Sequence, residues 1–165
     1  MKTETIKDII QFFDEADIMT AYHNLLCGDY ISEGCSRIVY ECDYDKTCVV
    51  KIAKKNSTRV PDDNILEWEI WNMIKGMTDE TPKWFAPCVR ISENGRVLIQ
   101  KKTKPLTDKQ WSNLIEIPSF ISDAKRANFG MYNGHICSHD YAFTIFKLGW
   151  SRKMKRISKE DKTRE

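Results

Sequence analysis

Lys51 stands inside the β-branched run Val49-Val50-Lys51-Ile52, where an ammonium without a partner would be costly to bury. Glu67 falls on the following helical stretch, on the same side as Ile70, Trp71 and Ile74, so it can point back at that strand. Glu69 is the competing helix acid. A strand lysine followed by a helix glutamate suits an ion pair aimed at phosphates. Asp123-Ala-Lys-Arg-Ala-Asn128 then sets an acid and an amide with four residues between them, and Asp140 supplies a second acid at a strand end. Phosphoryl transfer asks for this set of groups. One carboxylate orients the attacking hydroxyl, an amide and a second carboxylate hold Mg²⁺, and a lysine neutralises phosphate charge.

These groups need elements to carry them. Ile6, Ile9, Ile10 and Phe13 recur at helical spacing, which predicts an amphipathic helix over residues 4 to 15, with a second helical stretch at Ala16 to Leu26. Strand signals follow at Tyr30-Ile31, Ile38-Val39-Tyr40 and Val49 to Ile52, separated by Glu33-Gly34-Cys35-Ser36 and by the polar turn Asp43 to Lys46. Three consecutive antiparallel strands are expected. A helix from Asn64 to Ile74, stopping near Gly76, comes next, and then strands at Cys88 to Ile91 and Arg96 to Gln100 joined by the Asn94-Gly95 turn. Beyond the hinge Lys101-Lys102-Thr103-Lys104-Pro105 the pattern shortens to a segment at Asp108 to Leu114, a loop through Pro118, two strand-like pieces flanking Asn133-Gly134, and a final helical stretch.

The chain is 165 residues with 41% apolar and 30% charged residues, ordinary globular usage that excludes a disordered or fibrous class. No apolar run has the roughly 18 to 20 residues that span a bilayer, and acids occupy the place of a signal peptide's basic region, so a soluble, cytoplasmic protein is expected. The six cysteines are scattered and read as reduced thiols. Net charge is +2 but polarised. Residues 1–30 carry two lysines against six acids, and residues 151–165 carry seven basic residues against three acids. The basic tail reads as a solvated terminal segment. It could also touch nucleic acid, an acidic partner or the chain's own acidic end.

The glycine-rich stretch Ile31-Ser-Glu-Gly-Cys-Ser-Arg-Ile-Val39 keeps one glycine, Gly34, of the three in G-x-G-x-x-G-x-V. Taken with Lys51, Glu67, Asp123-x-x-x-x-Asn128 and Asp140-Tyr-Ala142, the run from Tyr30 to Asp140 resembles the protein-kinase-like superfamily, most closely the short kinase-like proteins of tailed bacteriophages. The resemblance implies an α+β, minimal protein-kinase-like fold with an antiparallel N-lobe sheet, one packed helix and a strongly truncated C-lobe. It implies a helical extension at 1–28, an N-lobe at 29–102, a reduced C-lobe at 103–150 and a basic tail at 151–165. It implies ATP and Mg²⁺ as ligands. Lys51 becomes the nucleotide-binding lysine, Glu67 its helix partner, Asp123 the catalytic aspartate, and Asn128 and Asp140 the metal ligands. Gly34, Ser36, Val39 and Gln100 join Lys51 around the nucleotide. The Asn64-x-x-Glu67-x-x-x-Trp71 pattern is more similar to the family's arrangement than one built on Glu69.

The departures point two ways. Ile121 and Ser122 stand where the catalytic loop would have His and Arg, Ala142 replaces the D-F-G glycine, and Ser32 and Arg37 replace two loop glycines. About 20 residues separate the hinge from Asp123 and 25 follow Asp140, short for an activation segment and peptide-docking platform. One reading is a phosphotransferase acting on a protein or small-molecule hydroxyl. The other is a non-catalytic, pseudokinase-like module that binds a partner protein, in a host cell if the gene is phage-borne. Nucleic acid and membrane are not expected partners, and the oligomeric state stays open. His135, Cys137 and His139 alternate along one strand and share a face, but no fourth metal ligand is nominated nearby. His23 reads as a packing or capping residue. The five tryptophans read as core and interface anchors.

Overall fold

The computed structural model describes residues 15–54, 62–144 and 153–163. The helix expected over residues 4 to 15, apart from its last residue, lies outside the described residues, as does Trp150. Helix α1 (Glu15–Leu26) leads into strands β1 (Cys27–Glu33), β2 (Arg37–Cys42) and β3 (Cys48–Ala53). Helix α2 (Asp63–Ile74) follows, then a 3₁₀ turn at Thr81–Trp84 and strands β4 (Cys88–Ile91) and β5 (Val97–Lys101). The five strands form one antiparallel sheet in the order β1-β2-β3-β5-β4. This is a mixed α+β protein whose upper part is an antiparallel sheet carrying one packed helix, as the sequence order implied.

Strand β3 lies at the centre of the sheet and is buried at five of its six positions. Its β-branched run reflects that, since a strand covered on both faces has no solvent side to alternate toward. Two apolar clusters follow the pleat. Val50 and Val97, with Cys42, Cys48, Ile52 and Ile99, pack on one face, where Leu26 at the end of α1 joins them. On the other face Leu98 meets Ile70 and Ile74 of α2. Fully burying one such aliphatic side chain is worth about 1.5–3 kcal/mol.

Helix α2 begins at the N-cap Asp62, whose side chain accepts the backbone N–H of Asn64 at 2.9 Å. Its inward stripe is Asp63, Asn64, Glu67, Ile70 and Ile74. The first two turns therefore bring polar groups to the sheet and the last two bring apolar ones. Asn64 fastens the polar end by donating to the carbonyls of Lys51 (3.2 Å) and Arg96 (3.0 Å). Opposite, Gly95 has φ of 72°, the left-handed region that the Asn94-Gly95 turn requires.

The chain passes from β5 straight into the lower part through β6 (Lys104–Pro105), so the expected hinge is a continuous extended segment joining two sheets. Helix α3 (Asp108–Asn113) starts with a full capping box between Thr107 and Gln110. Strand β7 (Glu116–Pro118) and a 3₁₀ turn at Arg126–Asn128 precede the hairpin β8 (Phe129–Tyr132) and β9 (His135–Ser138). Asn133 and Gly134 both have positive φ, the signature of a two-residue type I′ connection. Leu106, Trp111, Ile117, Ile121, Phe129 and Tyr141 belong to the same apolar cluster as Ile70 and Ile74, so upper and lower parts share one core.

The basic tail does not stand free. Strand β10 (Met154–Arg156) pairs antiparallel with β7, and helix α4 (Lys159–Thr163) lies against Trp111. Lys162 donates to the carbonyls of Trp111 and Leu114 and sits 4.4 Å from the Trp111 ring centroid, while the indole N–H donates to the carbonyl of Lys162 at 3.2 Å. A buried tryptophan needs a partner for its one donor, and the tail supplies it. All six cysteines are free thiols. Among the described residues no helix is long and apolar enough to cross a membrane.

Candidate functional site

The site is built outward from Glu67. Its carboxylate is fully buried and accepts from Lys51 Nζ at 2.8 Å, from Arg37 Nη2 at 2.9 Å and from the backbone N–H of Tyr141 at 3.1 Å, with the Gln100 amide at 3.4 Å. Burial alone would push this carboxyl up, but the charges of Arg37 and Lys51 overcome it and hold the group down at about 2. Glu69 is exposed, so the helix acid that faces the strand lysine is Glu67.

The second half of the site is the corner after β9. Lys51 Nζ also donates to the carbonyl of His139. The His139 ring is held on both sides, Nδ1 against the Thr103 hydroxyl and Nε2 against the carbonyl of Ala127, each at 2.8 Å. Its backbone N–H donates to the carbonyl of Asn128 at 2.9 Å. His139 thus stitches the hinge, the 123–128 loop and the segment leading to Asp140. It acts as a structural tie, and no group of three or more metal-ligating side chains occurs among the described residues.

Asp123 and Asn128 meet as their spacing suggested. The Asn128 amide donates to Asp123 Oδ2 at 2.9 Å and to the Asp123 carbonyl at 3.3 Å, and Lys125 Nζ stands 3.7 Å from Oδ2. Ile121, just before this loop, is a buried core residue. Ser122 donates its hydroxyl to the carbonyl of Phe143 at 2.7 Å, which links the loop to the turn beyond Asp140. Tyr141 drops into the core, donating to the carbonyl of Ala86 at 2.9 Å and packing edge-on against Phe85.

A cleft of about 1010 Å³ runs between the two parts. Gly34, Ser36, Val39, Lys51 and Gln100 line it from above and Asp123, Asn128 and Asp140 from below, so every residue nominated from the sequence except the underlying Glu67 faces one space. Among the described residues no atom comes within 4 Å of where a Cβ on Gly34 would stand, so a ligand can approach its backbone closely. Ser36 donates to the buried carboxylate of Asp63. The Gln100 Oε1 is buried with no hydrogen-bond partner among the described residues.

Scanned against protein-family models the chain matches none, and it matches no curated protein. Solved structures do match. Two are complexes of the aminoglycoside phosphotransferase APH(2″)-IIa. One is its ternary complex with streptomycin and ATP, at 21% identity and a TM-score of 0.39. That match covers 62% of this chain and 33% of the other. The second is its gentamicin complex, at 20% identity with the same TM-score and coverage. The chain therefore spans about a third of the length of the structures it matches.

One residue of the site escaped the sequence. Arg37 reads there only as a lost loop glycine, yet it is buried and its Nη2 bridges Glu67 (2.9 Å) and Asp140 (2.8 Å), while Nη1 reaches Asn64 Oδ1 at 3.4 Å. Burial opposes its charge, but Glu67, Asp140 and Asp63 together keep it firmly protonated. The available signal was strand periodicity. Arg37 lies two residues before Val39 on β2, and side chains two apart share a face. The register pairs Val39 with Lys51 and so puts all three on the cleft side.

The donor chemistry fits a hard divalent cation. The Asp140 carboxylate is about half exposed to the cleft, and Asn128 offers an amide oxygen; carboxylate and amide oxygens are the ligand types Mg²⁺ takes alongside phosphate oxygens and water. Lys51, oriented by Glu67, lines the same cleft, and its ammonium could serve an anionic group there as a point charge.

Proposed function

We propose that the chain binds ATP with Mg²⁺ in the cleft and transfers a phosphoryl group to a hydroxyl of a protein or small molecule. The observation carrying this reading is the Lys51–Glu67 ion pair of 2.8 Å, whose lysine lines one cleft with Asp140 and the hydrogen-bonded Asp123 and Asn128. In this reading Lys51 neutralises phosphate charge, and Glu67 keeps its ammonium aimed. Asp123, steadied by Asn128, accepts the hydrogen bond of the acceptor hydroxyl and directs its oxygen. Asp140 and Asn128 hold the metal, which when bound would draw charge from the phosphates. Gly34 and Ser36 lie over the phosphates, and Val39 and Gln100 complete the nucleotide's walls.

Two measurements on Asp123→Ala test the enzyme. Transfer from ATP labelled at the γ-phosphate, to water or to the chain itself, should be lost while nucleotide binding persists. Transfer undiminished in that variant would contradict the assignment.

A second reading, a non-catalytic module that binds a partner protein, is favoured by one observation, that the metal acid Asp140 already carries Arg37 as a counter-ion. It predicts a wild type that binds ATP, transfers nothing, and retains a stable partner in a pull-down. A wild type with measurable transfer, or a pull-down with no stable partner, counts against it.

A further inference from the structure

The phosphate end of the cleft already holds a second fixed cation. Arg37 stands at the first position of β2, directly after the Gly34–Ser36 connection, and it lines the cleft on the same strand face as Val39. One nitrogen, Nη2, makes both ion pairs, at 2.9 Å to Glu67 and 2.8 Å to Asp140, and Nη1 makes a long contact of 3.4 Å to Asn64. The two carboxylates differ. Glu67 is buried and also takes Lys51 and the Tyr141 N–H, whereas the Asp140 side chain is 45% exposed and reaches the cleft. Lys51 and Arg37 are thus already paired with carboxylates before any ligand arrives, and the buried Asp63 adds its charge near Arg37. The Arg37–Asp140 contact is the member of this set that opens to solvent.

We infer that Arg37 is a resident cation of the phosphate site. It binds the polyphosphate of a nucleotide directly, and it competes with divalent metal for Asp140. The guanidinium is a planar fork that matches phosphate oxygens in pairs, and it remains charged at any pH the protein meets. An anionic polyphosphate in the cleft offers Arg37 a replacement for the half-exposed Asp140, while Glu67 keeps hold of it from beneath. With Lys51, it gives the site two positive charges that need no metal. The same contact has an opposite effect on a divalent ion, because the guanidinium repels a second cation and already occupies one oxygen of the Asp140 carboxylate. The identity of the anion rests on the nucleotide reading above; the competition at Asp140 does not.

The two effects have opposite signs, which separates them from simple damage to the fold. The experiment measures, for the full chain, the affinity for ATP in excess EDTA and the affinity for Mn²⁺ alone by electron paramagnetic resonance of the free ion. It compares wild type, Arg37→Gln and Arg37→Lys. Arg37→Gln should bind metal-free ATP about tenfold more weakly or worse, the worth of a charge-assisted hydrogen bond, and should bind Mn²⁺ several-fold more tightly. Adding Asp140→Asn to Arg37→Gln should erase the Mn²⁺ gain. Arg37→Lys, which keeps the charge but not the fork, should lose less ATP affinity than Arg37→Gln and show less of the Mn²⁺ gain.

Affinities that both fall, or that both stay unchanged, in a folded Arg37→Gln overturn the inference. If that variant does not fold, the wild type decides. Binding of ATP with Mg²⁺ but not in EDTA overturns the inference and leaves the proposed function standing. Binding under neither condition overturns both, and clear binding in EDTA that Arg37→Lys retains in part supports it.

Discussion

Glu67 accepts the backbone N–H of Tyr141 at 3.1 Å, so the helix residue that pairs with Lys51 also anchors the segment presenting Asp140. Tyr141 is fixed again at its far end by the carbonyl of Ala86. Strand lysine, helix acid and cleft acid are therefore one mechanical unit. Displacing α2 moves all three.

That unit makes the protein sensitive to change at Glu67. Glu67→Gln leaves Lys51 and Arg37 buried without their shared counter-charge, and should cost on the order of 3 kcal/mol or more in denaturant unfolding. A cost under about 1 kcal/mol would contradict the buried triad.

The same residue sets part of the acid limit. Its carboxyl is held at about 2 against an ordinary 4.5, so the folded form keeps its charge where the unfolded chain takes a proton. The stabilisation is fully present above pH 4.5 and is lost as pH falls from there through about 2. Unfolding free energy followed over that window should fall more steeply in wild type than in Glu67→Gln. Parallel curves would contradict the depressed value.

Gly95 carries the β4–β5 hairpin at φ of 72°, and a Cβ there would come within 2.6 Å of the Ile65 side chain on α2. Gly95→Ala should lose about 1–2 kcal/mol from backbone strain and crowding together. Ile65→Ala in the same chain should relieve the crowding share and leave the strain, a coupling a double-mutant cycle reads directly.

The tail is predicted to be part of the folded body. Trp111→Ala removes a buried ring and the indole N–H held by Lys162, and should cost about 3–5 kcal/mol. Amide hydrogen exchange at residues 153–163 should rise with it. Unchanged protection there would contradict the docking of β10 and α4.

Much of the site was legible because its chemistry constrains residue type. A lysine inside a β-branched strand demands a counter-charge, and Glu67 was the helix acid on the inward stripe. Asp123 and Asn128 were legible as an acid and an amide close enough in sequence to meet, and the Asn94-Gly95 and Asn133-Gly134 turns placed the hairpins. Arg37 is not legible from a glycine pattern, in which an arginine is only a departure. Its two-residue offset from Val39 already put it on the cleft face, but its partners lie on α2 and after β9, brought near only by the fold. The tail was missed for a related reason. A three-residue strand and a five-residue helix carry little periodicity, and what holds them is Trp111, far off in the chain and unidentifiable as their partner from spacing. His139 shows the limit of a shared face. It alternates with His135 and Cys137 as expected, but its ring is used by Thr103 and Ala127.

The central claim is that the cleft is a nucleotide site whose metal acid is Asp140. Thermal unfolding with ATP, with and without Mg²⁺, in wild type and Asp140→Asn tests it most directly. Ligand at about 100 times its dissociation constant should add roughly 2.7 kcal/mol to the wild type. The account predicts that ATP stabilises wild type, that Mg²⁺ increases the effect, and that Asp140→Asn loses the Mg²⁺-dependent part. A wild type unmoved by ATP in either condition, or an Asp140→Asn variant that keeps the full Mg²⁺ increment, would contradict it.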